Sequence, residues 1–233
     1  MFFKFLCFFA LILSWSCTKS ETMPTDMTKN DTIRYLALGD SYTIGESVTT
    51  NESYPMLLAA ELRGQGVSIA SPKIIAKTGW TTDELSAAMD AEKLDSNYNL
   101  VSLLIGVNNQ YRYYSPENYR NEFRFLLLRA IDLARGNKKR VFVLSIPDWA
   151  YTPFGQSCGR NVQEITAQIN IFNAINFEMA REYDVTYFDI TPITREGLIN
   201  PALVATDGLH PSAASYVRWT SLMWQDVLKK VKP

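Results

Sequence analysis

The chain has 233 residues, 47% of them hydrophobic, so it is long enough for one domain with a sizeable core. Its 24 acidic residues nearly balance its 23 Lys and Arg residues, and no basic block is present, which argues against a nucleic-acid partner. His210 is the one histidine, so it is the single candidate for a catalytic base or a metal ligand that uses an imidazole.

The N-terminal segment has the layout of a secretory signal peptide. Lys4 precedes an apolar run, Phe5–Leu13, which is too short to span a bilayer and is followed by small residues. A buried first helix or strand is the alternative, but it fits poorly because every face of the segment is apolar. We therefore predict a signal peptide over residues 1–16 and export of the remaining chain.

Cys17 follows this segment directly, in a pattern that resembles a bacterial lipoprotein signal. Such signals usually carry a leucine three residues before the cysteine; here Ser14 holds that place and the leucine is Leu13. We expect Cys17 to be acylated and residues 17–32 to form a polar tether, so that a folded domain over residues 33–233 is anchored to a membrane of the cell envelope. Ordinary cleavage, which would give a secreted protein without lipid, stays open.

The remaining cysteine has no partner for a disulfide. Loss of Cys7 with the signal peptide and acylation of Cys17 would leave Cys158 as the last thiol of the mature chain. Its neighbours Ser157 and Gly159 indicate a loop. We interpret Cys158 as a structural residue and not as a nucleophile.

From residue 33 onward, apolar runs of strand length alternate with helical stretches. The predicted strands are Ile33–Leu38, Lys73–Ala76, Leu100–Ile105, Val141–Ile146 and Val185–Ile190. The predicted helices are Tyr54–Arg63, Thr81–Lys93, Ser115–Arg135, Val162–Tyr183 and Ala213–Lys230. Near-continuous apolar strands separated by helices predict an α/β fold whose five-stranded parallel sheet is covered on both faces. Such sheets bind ligands at the carboxyl ends of their strands.

Residues suited to acyl transfer follow the strands. Ser41 comes after the first strand, Gly79 after the second and Asn108 after the third, while Asp207 and His210 precede the last helix. A serine hydroxyl is a weak nucleophile until a base takes its proton, and His210 can be that base. Asp207 lies three residues upstream, where it can accept the other ring N–H. The backbone N–H groups of Ser41 and Gly79, with the Asn108 carboxamide, can form an oxyanion hole.

Four sequence blocks resemble those of the GDSL esterases and lipases, also called SGNH hydrolases. The blocks are LALGDSYTIGE around Ser41, KTGW with Gly79, GVNN with Asn108, and DGLHPS with Asp207 and His210. The resemblance covers about residues 33–215. It implies a three-layer α/β/α, flavodoxin-like fold and ester hydrolysis through an acyl-enzyme, with no metal and no cofactor. The Gly-x-Ser-x-Gly elbow of the ordinary α/β-hydrolases is absent around Ser41.

One position departs from the resemblance. The third block of the family usually reads Gly-x-Asn-Asp, whereas this chain has Asn109 in the last place. We expect a loop-orienting role there that a carboxamide fills in part. Asp40, beside the nucleophile, is interpreted as a residue that fixes the loop. Four aromatic residues are candidates to line the substrate pocket, or equally to cover the sheet edge: Trp80, Trp149, Tyr151 and Phe154.

The sequence therefore predicts an extracytoplasmic serine hydrolase acting on a carboxylic ester. Two substrate classes stay open, an acetylated carbohydrate and a lipid or simple alkyl ester such as a lysophospholipid. A non-catalytic surface-binding protein that kept the fold is the alternative from a different class. Acyl preference is expected to be short, because the loop from Asp40 to Ser53 is polar and no long apolar insertion offers a lid.

Overall fold

The computed structural model describes residues 1–2 and 32–232, and these contain a five-stranded parallel sheet. The strands are β1 (Tyr35–Asp40), β2 (Lys73–Lys77), β3 (Leu100–Leu104), β4 (Val141–Leu144) and β5 (Thr186–Phe188). Their order across the sheet is β2-β1-β3-β4-β5. All five predicted strands are present and every pairing is parallel, which confirms the predicted fold class.

The strands form because both faces of the sheet are covered. Every residue of β1, β3 and β4 is buried, so these segments contain almost no polar side chains and no in–out alternation. Strand β2 lies at one edge of the sheet, and only its central residue, Ile75, is buried. This edge position explains why lysines begin and end β2.

Five long helices cover the sheet, close to their predicted positions. They are α2 (Tyr54–Gly64), α3 (Thr82–Ala91), α5 (Pro116–Leu133), α7 (Val162–Glu182) and α9 (Ala213–Val231). Their starts follow the capping chemistry of the sequence: Ser115 accepts the backbone N–H of Asn118, and Thr81 forms a reciprocal capping box with Glu84. Helix α2 packs against α9, whereas α5 packs against α3 and α7, which gives a helical layer on each face.

Short helices that the sequence analysis did not predict fill the connections. They are α1 (Ser41–Ile44), α4 (Val107–Tyr111), α6 (Pro153–Ser157) and α8 (Thr191–Thr194), with turns of 3₁₀ helix at Thr50–Glu52, Lys138–Arg140, Trp149–Tyr151 and Pro201–Leu203. Helix α1 begins directly after β1, and α4 begins three residues after the last residue of β3. They therefore set the positions of Ser41 and Asn108.

The predictions for the N-terminal region fall outside this description. The signal peptide, the acylated Cys17 and the tether rest on residues 3–31, of which the structure gives no account. Among the residues it does describe, no helix combines the length and apolar character needed to cross a bilayer.

Candidate active site

Ser41 is the first residue of the short helix α1, at the carboxyl end of β1. Asp40 caps this helix, since its Oδ1 accepts the backbone N–H of Tyr42 at 3.0 Å. Gly39 permits the tight turn: a Cβ there would lie 2.1 Å from Thr43 Oγ1 and 2.3 Å from the Leu104 carbonyl oxygen. Gly39 is thus required sterically and Asp40 as the helix cap. Because Ser41 is the first residue of the helix, its N–H has no acceptor within the helix.

Ser41, His210 and Asp207 form one hydrogen-bonded chain. His210 Nε2 lies 3.0 Å from Ser41 Oγ, and His210 Nδ1 lies 2.5 Å from Asp207 Oδ2. The turn between the last two residues is closed by Asp207 Oδ1, which accepts the backbone N–H groups of Leu209 at 2.9 Å and His210 at 3.0 Å. The structure therefore brings together the three residues predicted as a triad, although 169 positions separate Ser41 from His210.

A further contact holds the Asp207 carboxylate. Ser47 Oγ donates a hydrogen bond to Asp207 Oδ2 at 2.7 Å. Partial burial raises the pKa of Asp207, but the bonds from His210, Ser47 and the two backbone N–H groups outweigh this effect and hold that pKa well below its usual value. Asp207 is therefore ionised at neutral pH. Sequence reasoning missed Ser47, because no motif marks a residue whose role depends on the path of a loop.

The carboxamide of Asn108 and the turn carrying Gly79 lie next to each other. Asn108 Nδ2 donates to the Trp80 carbonyl oxygen at 3.0 Å, which leaves its second N–H for another acceptor. Gly79 has a φ of 86°, a conformation that favours glycine, and its carbonyl oxygen accepts from Arg112 Nη2 at 2.7 Å. The cavity at Ser41 is lined by Asn108 but, among the described residues, not by Gly79.

Asn109, where the family usually has aspartate, is fully buried against the start of α3. Its Oδ1 accepts the Thr82 N–H at 3.1 Å, and its Nδ2 donates to Thr82 Oγ1 at 2.6 Å. The Thr82 hydroxyl in turn donates to Glu122 of helix α5. Asn108 and Asn109 therefore both bond to residues 80–82. One of the bonds from Asn109 uses its Nδ2 donor, which an aspartate lacks.

The cavity beside Ser41 has a volume of about 240 Å³ and is open to solvent. Of the four aromatic candidates, Trp149 and Phe154 line it, whereas Trp80 and Tyr151 do not. Tyr42 and Tyr111, which the sequence analysis did not identify as pocket residues, are two further aromatic residues of its lining. A cavity of this size beside a serine and an imidazole suits a small acyl group or one ring of a substrate.

A metal centre and a cysteine nucleophile have little support in the part of the chain that the structure describes. It contains no group of three or more His, Cys, Asp or Glu side chains arranged for a metal ion. Cys158 caps helix α6 in a half-buried position, and its Sγ donates to the Gly155 carbonyl oxygen at 3.3 Å. This contact fits the structural interpretation of that thiol.

Comparison with known proteins gives a family model and a set of similar folds. The model of the GDSL-like lipase/acylhydrolase family matches residues 37–218. No curated protein sequence matches the chain significantly. Among solved structures, the lipase/acylhydrolase from Enterococcus faecalis has a TM-score of 0.67 at 19% identity, covering 86% of this chain and 98% of that one. The acetylxylan esterase Axe2 from Geobacillus stearothermophilus has a TM-score of 0.64 at 18% identity, covering 84% and 94%.

Proposed function

The chain belongs to the GDSL-like lipase/acylhydrolase family, and from this premise we propose that Ser41, His210 and Asp207 hydrolyse a carboxylic ester through an acyl-enzyme. The observation that carries the proposal is the continuous hydrogen-bonded chain from Ser41 Oγ through the imidazole to a carboxylate, at 3.0 and 2.5 Å. A charged aspartate on Nδ1 keeps the proton on that nitrogen. Nε2 is then free to accept the serine proton.

The reaction proceeds in two balanced halves. Ser41 Oγ attacks the ester carbonyl carbon while His210 Nε2 takes its proton, and the same proton then passes to the departing alcohol. In the second half, a water attacks the acyl-enzyme, His210 takes the water proton, and the acid leaves as Ser41 recovers its hydrogen. In both halves the N–H of Ser41 and the free N–H of Asn108 Nδ2, which both line the cavity, donate to the carbonyl oxygen as its negative charge grows.

A short acyl group on a carbohydrate is the substrate that we propose within this reaction. The cavity of about 240 Å³ has no extended aliphatic channel among its lining residues, and four of them carry aromatic rings: Tyr42, Tyr111, Trp149 and Phe154. A fatty acyl chain needs a long apolar surface for burial. Cleavage of a lipid ester is the alternative, and it becomes an outcome of the experiment below.

The experiment combines labelling with an acyl-length series. A fluorophosphonate probe should label the wild type but not Ser41→Ala, and Ser41→Ala and His210→Ala should each lower kcat for 4-nitrophenyl acetate by more than about 10⁴-fold. The value of kcat/KM across nitrophenyl esters should fall with acyl length. A wild type that neither takes the probe nor hydrolyses any ester would identify a binding protein instead, and a rise in kcat/KM beyond eight carbons would identify a lipase.

We also propose that the enzyme acts outside the cytoplasm, attached through lipid on Cys17. This proposal is supported by the apolar run Phe5–Leu13, the cysteine that follows it and the polar segment before residue 33. Mass spectrometry of the mature N-terminus should detect an acylated cysteine, and Cys17→Ser should move the protein from the membrane fraction to the soluble fraction. An unmodified N-terminus on a soluble wild type would refute the anchor.

A further inference from the structure

Tyr113 occupies an unfavourable position at the end of helix α4. Its backbone N–H donates to the Gln110 carbonyl oxygen at 3.0 Å, and the N–H of Tyr114 donates to the Asn109 carbonyl oxygen at 2.8 Å. This pair of bonds is the Schellman ending of a helix, in which the residue at the place of Tyr113 has a left-handed backbone and is usually glycine. Tyr113 has a φ of 59°. A side chain is disfavoured there.

Burial does not compensate for this conformation, because 64% of Tyr113 remains exposed. What the ring does contact is a cation: Arg160 Cζ lies 4.4 Å from the centre of the Tyr113 ring and 4.2 Å from that of Tyr111. Arg160 Nη2 also donates to the Tyr111 carbonyl oxygen at 2.9 Å. Among the described residues no carboxylate pairs with this guanidinium.

This aromatic cluster is continuous with the active-site cavity. Tyr111 is 40% exposed, lines the cavity with Ser41, and packs edge-to-face on Trp149 with ring centres 5.5 Å apart. Tyr111, Arg160 and Tyr113 therefore extend the cavity wall away from the nucleophile. We call these three residues the aromatic platform.

We propose that the aromatic platform binds the alcohol half of the ester, and that this half is a sugar ring of an acetylated saccharide; the inference rests on the proposed function. Sugar rings present C–H faces that stack on aromatic rings, and their hydroxyl oxygens accept hydrogen bonds from a guanidinium. The platform offers tyrosine rings beside the Arg160 guanidinium, whose Nη1 is buried and whose Nη2 has a second N–H besides the one that bonds the Tyr111 carbonyl oxygen. A lipid chain would instead be matched by aliphatic side chains, and none belongs to the platform. The observation that carries the inference is an exposed tyrosine at a glycine-favouring position, packed on Arg160 beside the cavity.

The test compares two substrates in Tyr113→Gly. Glycine suits the left-handed backbone, so the fold is retained while the ring is lost. We expect kcat/KM for acetylated xylooligosaccharides to fall about tenfold further than kcat/KM for 4-nitrophenyl acetate, mainly through KM. Tyr113→Phe keeps the ring and should keep the wild-type ratio of the two values. Lys93→Gly is the matched control, because Lys93 has a φ of 45° at the end of α3 and should leave both values unchanged.

Each other outcome overturns the inference. An equal loss on both substrates would make Tyr113 a structural support of the catalytic residues. Wild-type hydrolysis of 4-nitrophenyl acetate without hydrolysis of acetylated xylooligosaccharides or glucomannan oligosaccharides would reject a sugar as the alcohol half. A lysophospholipid whose cleavage fell in Tyr113→Gly would assign the platform to a lipid headgroup. Failure of the wild type on every ester would refute the proposed function itself, and is thereby distinguishable.

Discussion

At the scale of single residues, Ser47 links the nucleophile loop to the triad carboxylate. Its hydroxyl donates to Asp207 Oδ2, the oxygen that also accepts from His210 Nδ1. Without that donor, one fewer bond holds the carboxylate that orients the His210 ring. We therefore expect Ser47→Ala to lower kcat/KM by about three- to tenfold, or about 1 kcal/mol.

Backbone strain at Ser47 supplies the control. Ser47 has a φ of 67°, so Ser47→Gly removes the same hydroxyl while relieving the backbone. Both variants should lower kcat/KM equally if the hydroxyl is responsible. A loss in Ser47→Ala alone would attribute the effect to loop distortion.

Replacing Asn108 should slow the chemical step without weakening the binding of substrate. One N–H of its carboxamide is held by the Trp80 carbonyl oxygen, which aims the other without any motion during the reaction. Asn108→Ala should lower kcat by roughly 10²–10³-fold with little change in KM, since the donated bond strengthens only as the oxyanion forms. Steady-state kinetics on 4-nitrophenyl acetate would measure both values, and a change confined to KM would contradict this role.

The sequence predicts some of these residues and not others, for a physical reason. Ser41 directly follows a buried strand and Asn108 lies four residues beyond the end of another, so an apolar run and a parallel sheet suffice to place them at one edge. Asp207 and His210 share a three-residue turn that local chemistry determines. Ser47 and Tyr113 act through loop and helix-end conformations with positive φ, and no periodic pattern encodes these.

At the scale of elements, the length of a helix determines whether its sequence pattern can be detected. The five long helices carry caps and apolar periodicity, and their observed bounds differ from the predicted ones by at most two residues. Helix α1 has four residues and α4 has five, which is too short for a periodic signal. Trp80 and Tyr151 are cavity candidates by sequence but do not line the cavity, because an aromatic residue type does not reveal which way its side chain points.

Asn109 of α4 bonds to Thr82 of α3, which in turn bonds to Glu122 of α5, and these contacts predict the effect of an aspartate at position 109. An aspartate there would retain the bond from the Thr82 N–H but would bring a second carboxylate to a hydroxyl that already donates to Glu122. One hydroxyl hydrogen cannot serve both carboxylates. Asn109→Asp should therefore destabilise the domain by about 1–3 kcal/mol, through a buried and poorly paired charge, and change kcat/KM by less than about tenfold.

A double-mutant cycle isolates this contact. Glu122→Gln removes the competing charge and supplies an amide in its place, so Asn109→Asp combined with Glu122→Gln should recover at least about half of the lost free energy of unfolding. Urea unfolding of the four proteins gives the coupling energy. Additive losses would mean that Asn109 and Glu122 do not interact through Thr82.

At the scale of the whole molecule, strand order brings the functional loops together. Strands β1 and β3 are neighbours in the sheet, although β2 comes between them in the chain. The connection after β1 therefore runs towards one edge of the sheet, and the connection after β3 runs towards the other. Ser41 follows β1 and Asn108 follows β3, so both lie at this reversal point. The sequence predicts five parallel strands but not their order, because order depends on how the helical layers pack.

Burial of Asp40 beneath the active site should make the stability of the whole domain depend on pH. Burial raises the pKa of Asp40 to about 8, against a lowering effect of the Tyr42 N–H, and its Oδ2 has no hydrogen-bond partner among the described residues. The folded state therefore holds a proton that the unfolded state releases above about pH 4. Stability contributed by this proton is complete at low pH and is lost as pH rises to about 8. The slope is at most about 1.4 kcal/mol per pH unit.

Asp40→Asn removes the titration while keeping an oxygen that can accept the Tyr42 N–H. Urea unfolding between pH 5 and 8 should give a free energy of unfolding that falls more steeply with pH in the wild type than in Asp40→Asn, with the variant more stable at the upper end. Asp207 does not supply this slope, because its pKa is lowered and its contribution is lost only at pH values below the usual range of an aspartate. Parallel stability curves for the two proteins would mean that Asp40 is ionised in the folded state throughout this range.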